Sequence, residues 1–180
     1  MGQAFELRLR EDGTAFLLVD LPADNLHTLT MPVIRELEGF LDVLDGTSAK
    51  ALVVRKGKVA ERDAMARTST NLQARPWAAE EIIRRGQDCL QRFAALEIPT
   101  VGVIEGPCQN DEFELFLACS YRLMSDSEEA VAGFSNLQYG LLPWLGSTQR
   151  LPRLIGLDNA LQTLLSEEAQ GVQELLAGGV

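Results

Sequence analysis

Phe5, Leu7 and Leu9 alternate with polar residues, the period-two pattern of a strand with one buried face. Glu11-Asp12-Gly13-Thr14 interrupts it, and Ala15 to Leu21 is mostly apolar, so a two-stranded hairpin is predicted. After a turn at Leu21-Pro22-Ala23-Asp24-Asn25, the positions Val33, Ile34, Leu37, Phe40, Leu41 and Leu44 recur at helical spacing until Asp45-Gly46-Thr47. Ala51 to Val54 reads as a short buried strand, and Lys56 to Arg75 is irregular and polar. A second helix is predicted from about Ala79 to Leu96, with Ile82, Ile83, Leu90, Phe93 and Leu96 on one face. Strands follow at Thr100–Glu105 and Tyr121–Met124, then one helix over Leu151–Leu165. Strands alternating with helices of crossover length predict an α/β fold with parallel strands. With no internal repeat or linker, residues 1–180 are expected to form a single domain.

Composition narrows the function classes. The chain has 180 residues, 46% of them hydrophobic, which is enough for a substantial core. Its net charge of −10 disfavours nucleic acid and anionic membrane surfaces as partners. No apolar run approaches the roughly 20 residues that span a bilayer, and MGQAFELRLREDG lacks the apolar core of an export signal. Cys89, Cys108 and Cys119 are odd in number and lack metal-ligand spacing, so buried reduced thiols in a cytoplasmic protein are expected, and no metal site. Charge is also segregated: Arg55 to Arg75 carries six basic residues against two acids. That island is either a solvated loop or a landing place for a phosphorylated ligand.

Chemistry concentrates where a strand becomes a helix, in GPCQNDEFELFLACSYRLM from Gly106 to Met124. Asp111, Glu112 and Glu114 put three carboxylates at this junction. Asp111 followed three positions later by Glu114 reads as a variant capping box, with Glu112 favourable near the positive helix end. A catalytic Glu114 is compatible with that reading. His27, the only histidine, sits near a turn with no triad spacing. Cys108 and Cys119 lack a neighbouring base and read as small core fillers. Trp77 reads as part of a loop or an aromatic ligand wall.

Three segments, IPTVGVIEGPC, FELFLACSYRLM and YGLLPWLGSTQRLPRLIG, resemble in order and spacing the core of the crotonase superfamily, the enoyl-CoA hydratase/isomerase family. The last is most similar to the hydratase part of bacterial fatty-acid oxidation α subunits. The resemblance implies a crotonase-like spiral of ββα units that binds acyl-CoA thioesters. It implies no cofactor beyond the coenzyme A of the substrate, and a homo-oligomer, trimeric in the family. The trimer-forming helices would follow the point where the present sequence stops.

Family members bind the thioester oxygen with two backbone amides, an arrangement that stabilises developing charge by a few kcal/mol. By position those amides fall here on Ala64 and Asp111. Glu114 matches the first hydratase glutamate, and Asn136 stands where the second is expected. Lys56, Lys58 and Arg62 are candidates for the coenzyme A phosphates. The departures are physical as well as formal. Asn110-Asp111-Glu112 replaces a glycine run that allows positive φ and close ligand approach. A negative Asp111 opposes charge on a neighbouring oxyanion. Asn136 holds a water but is no general base near neutral pH. Trp144 replaces a small residue of the family's turn and either fills acyl or subunit space or simply packs. The expectation is therefore an acyl-CoA-binding relative with impaired two-glutamate hydration, or else a silent scaffold.

Overall fold

The computed structural model describes residues 4–21, 29–57, 76–166 and 168–180. Strand β1 (Phe5–Leu9) pairs antiparallel with β2 (Thr14–Val19) across a turn in which Gly13 takes φ 87°. Parallel pairing then runs from β2 to β3 (Ala51–Lys56), β4 (Thr100–Ile104) and β6 (Tyr121–Met124), giving the order β1-β2-β3-β4-β6. The alternation read in the sequence is the alternation of burial. Ala15, Leu17 and Val19, then Leu52 and Val54, then Gly102 and Ile104 turn inward.

Helix α1 (Met31–Asp45) buries Ile34, Leu37, Phe40, Leu41 and Leu44 and ends at Gly46. Helix α2 (Pro76–Ala94) is predicted three residues short at its start. Its Arg85 forks onto Glu38 of α1 at 2.7 and 2.8 Å, fixing the two helices side by side. Helix α3 (Asp111–Leu117) lies against β4, where Gly102 leaves room for the Phe116 ring. One continuous core takes in side chains of β1 to β4 and of α1, α2 and α3.

The second sheet, in the order β5 (Cys108–Gln109), β7 (Val131–Gly133) and β8 (Gln170–Gly171), is absent from the sequence reading. Strands of two or three residues are too short to show a period. The helix expected over Leu151–Leu165 is two helices, α4 (Ser147–Ile155) and α5 (Leu157–Leu165). They part at Gly156, whose φ of 78° no helix accommodates. A one-turn 3-10 helix covers Ser135–Tyr139, and α6 (Val172–Gly178) closes the described chain. Leu175 of α6 packs into this chain's own core, while Leu176 faces outward.

All three cysteines are free and buried. Burial pushes the thiols of Cys89 and Cys119 up to about 12, and that of Cys108 well up, so all are protonated and inert at neutral pH. Among the described residues, no helix is long and apolar enough to cross a membrane.

Candidate active site

The site is built at the β5–α3 junction. Asn110 has φ 56° and ψ −125° and is the one non-glycine residue with positive φ among the described residues. This is a conformation that glycine adopts without penalty and asparagine tolerates. The side chain holds it there. Asn110 Oδ1 accepts the Asn136 amide at 3.0 Å, and Nδ2 donates to Ser135 Oγ at 3.1 Å. The Ser135 hydroxyl in turn donates to Gln109 Oε1 at 2.8 Å. Asp111 and Glu112 are helical, so of Asn110-Asp111-Glu112 only Asn110 occupies the demanding conformation.

The capping-box reading of Asp111 and Glu114 is not what forms. The N-cap is Asn110, which makes no side-chain cap bond, and Asp111 is already the first helical residue. The spacing was right for a box, but its phase was off by one residue. Both carboxylates turn away from their own helix start. Asp111 is 2% exposed, and its Oδ2 accepts the Leu29 amide at 3.0 Å while Oδ1 accepts the indole N–H of Trp144 at 2.8 Å.

Glu114 is 1% exposed and binds a loop thirty residues away. Its Oε1 accepts the amides of Trp144 at 2.9 Å and Leu145 at 3.0 Å. Its Oε2 accepts those of Leu145 at 3.0 Å and Ser147 at 2.9 Å. Gly146, the N-cap of α4, has no capping side chain, so a carboxylate from another helix takes that role. Burial pushes the Glu114 carboxyl above its ordinary value, and the backbone amides of Leu145, Ser147 and Trp144 pull the other way.

Glu112 pairs with Lys56, whose Nζ lies 3.1 Å from Oε2 and also donates to the Pro107 carbonyl at 2.7 Å. Burial raises the Glu112 carboxyl and the Lys56 charge opposes it. The Lys56 ammonium, considered for a ligand phosphate, is thus committed to an internal partner. Lys58, Arg62, Ala64 and His27 lie outside the described residues, as does the Trp77 side chain.

Asn136, the second residue of the 3-10 turn, meets Asp111, Glu114 and Trp144 around a cavity of about 10 Å³. That is room for a single water. Trp144 closes it. Its carbonyl accepts from Gln87 Nε2 at 2.7 Å, and its ring edge packs on α2 at Gly86. A Cβ at Gly86 would sit 3.1 Å from that ring and 2.7 Å from Leu145. A lone glycine inside a helical pattern was the sequence signal for this close approach. Among the described residues, no cluster of three or more His, Cys, Asp or Glu is placed to hold a metal ion.

The sheet order and its helices define the class as a crotonase-type α/β fold. The chain matches the enoyl-CoA hydratase/isomerase family over residues 24–180 and belongs to it. It is 36% identical over 169 residues to the fatty acid oxidation complex subunit alpha of Vibrio campbellii, covering 91% of this chain and 24% of that one. The corresponding subunit of Shewanella amazonensis is 38% identical over 169 residues, again covering 24% of its length. The chain therefore spans about a quarter of the curated relatives it matches. Its fold is similar to that of an enoyl-CoA hydratase from Geobacillus kaustophilus, with a TM-score of 0.82 at 25% identity over 99% of this chain and 67% of that one. The Bacillus anthracis enoyl-CoA hydratase gives a TM-score of 0.79 at 20% identity, over 98% and 68%.

Proposed function

We propose that this chain is a cytoplasmic, acyl-CoA-thioester-binding member of its family in which two-glutamate hydration no longer operates. The observation that carries the reading is the state of Glu114. Three backbone amides take both its oxygens, and the adjoining cavity admits one water. A general base needs a lone pair facing the proton it removes. Asn136, at the second position, supplies an amide that does not ionise. The names of the relatives support a thioester ligand, with coenzyme A entering as part of the substrate and no separate cofactor.

The closure of the cavity by Trp144 and Asp111 favours a second reading, a catalytically silent scaffold that keeps the fold alone. One experiment addresses both. Purified protein is expected to cause no loss of enoyl-thioester absorbance above background with a short-chain enoyl-CoA. Asn136→Glu alone is expected not to restore it, because Glu114 stays bound to the α4 loop. Robust turnover by the unaltered protein would overturn the proposal. Calorimetry with coenzyme A and a short acyl-CoA then separates the readings: heat of binding supports the thioester module, and none supports the scaffold.

We also propose a homo-oligomer, trimeric by resemblance. Leu157, Leu161 and Leu165 of α5 are exposed at 63, 45 and 58%, one turn apart, and Leu176 of α6 is exposed at 67%. Contiguous apolar stripes of this kind are unusual on monomers. Light scattering at micromolar concentration is expected to give a multiple of the 19.7 kDa chain mass; a monodisperse monomer would refute the assembly.

A further inference from the structure

The connections β2-α1-β3, β3-α2-β4 and β4-α3-β6 join neighbouring parallel strands. Such crossovers are right-handed, so α1, α2 and α3 gather on one face of the five-stranded sheet. That face holds the buried side chains of Ala15, Leu17, Leu52, Val54 and Ile104. The opposite face is half-open. One row across it is Arg8, Phe16, Val53, Val101 and Tyr121, and the next is Glu6, Leu18, Arg55, Val103 and Leu123. In these rows Tyr121 and Leu123 are exposed, and the other apolar side chains are half-buried. Parallel strands are normally covered on both faces, and their sequences then run apolar without alternation. Ala15-Phe16-Leu17-Leu18-Val19 and Ala51-Leu52-Val53-Val54 are runs of that kind. They suit a sheet with a second cover.

We propose that this cover is the same face of a second copy of the chain. A closed pair needs a surface that complements itself about a two-fold axis. The two rows do so. An axis lying between them in the interface, perpendicular to the strands, exchanges one row for the other. Arg8 then meets the partner's Glu6, Phe16 the partner's Leu18, Val101 the partner's Val103 and Tyr121 the partner's Leu123. Val53 meets the partner's Arg55, a residue whose charge is already paired with Glu105 at 2.8 Å. Apolar pairs thus fill the centre and ion pairs the β1 margin, the usual anatomy of an interface. The rows carry Arg8 and Arg55 against Glu6, so they do not share the repulsion of a chain with a net charge of −10. Five strands about 4.8 Å apart over about 17 Å of length present roughly 400 Å² per copy, about half of what each partner gives to a stable complex. The pair is therefore weak and concentration-dependent. It involves neither the α5 leucines nor Glu114, and does not depend on the thioester reading.

Sedimentation velocity tests the contact. The mass of the unaltered chain is expected to double between about 10 µM and about 1 mM, the range of a contact this small. Doubling reads the sheet contact whether the α5 leucines hold a trimer or nothing. Tyr121→Glu combined with Leu123→Glu, at exposed positions, is expected to abolish the doubling with Tm unchanged. Arg8→Glu alone and Glu6→Arg alone set like charges opposite each other across the axis. Each is expected to raise the midpoint concentration about fivefold, and the two together to restore it. No doubling up to about 1 mM overturns the proposal. Doubling that survives the Tyr121→Glu and Leu123→Glu changes overturns it as well, because the contact then lies elsewhere. A midpoint unmoved by Arg8→Glu, or not restored by the charge swap, overturns the two-fold pairing. If the glutamate variant loses its fold, the charge swap decides, since it leaves the apolar rows intact.

Discussion

Replacing Glu114 with alanine is expected to destabilise the protein by about 3–5 kcal/mol at neutral pH, measured by chemical denaturation. The change strands three backbone N–H groups, of Trp144, Leu145 and Ser147, in a site where Glu114 itself is 1% exposed. Each orphaned buried donor costs roughly 1–3 kcal/mol, and removal of a desolvated charge offsets part of the sum. Glu114→Gln keeps the volume but turns an NH₂ toward amides that also donate, so it too is expected to lose stability. A residue whose role was only catalytic would leave stability nearly unchanged. A loss below about 1 kcal/mol would therefore sink the structural role assigned here.

The pH dependence of that penalty has a defined sign. Burial raises the Glu114 carboxyl above its ordinary 4.5, so the native state holds its proton more tightly than the unfolded chain does. The stability this contributes is fully present below about pH 4.5 and is lost as pH rises through the native value. Glu112, raised by burial against the opposing charge of Lys56, acts in the same direction. The alanine variant lacks the Glu114 share. The gap between it and the unaltered protein is expected to narrow from pH 4.5 to pH 8, and a gap that widens contradicts the direction assigned to Glu114.

The elements legible in the sequence were those long enough to repeat their own period. α1 shows five buried positions at helical spacing, and β2 alternates over six residues. The strands of the second sheet run two or three residues and carry no such signal. The break at Gly156 was visible as a residue, but its φ of 78° was not. At the site, residue types at the β5–α3 junction marked Asp111 and Glu114 as unusual, yet their partners were hidden. Glu114 binds backbone amides, and any sequence at 144–147 short of proline offers those. Asn110 was read as a lost glycine. The structure shows its side chain holding a positive-φ conformation through the Ser135 hydroxyl and the Asn136 backbone amide.

The position of α3, and with it the whole site, depends on the absence of a side chain in the neighbouring strand. Gly102 of β4 lies in register with Val54 and Arg122, its backbone is ordinary, and a β-branched residue would suit the strand by propensity. Packing decides otherwise. A Cβ there would stand 2.8 Å from Phe116 Cδ1 and 3.3 Å from Cys119 Sγ, and Phe116 is buried with no free direction in which to yield. Gly102→Val is therefore expected to destabilise by about 3 kcal/mol, the upper range for overpacking, against a propensity gain of at most about 1 kcal/mol. If the ring is the obstacle, Gly102→Val combined with Phe116→Leu will be more stable than the two separate losses imply. A double-mutant cycle by denaturation measures this. Strict additivity would mean that Gly102 serves the strand and not the seat of α3.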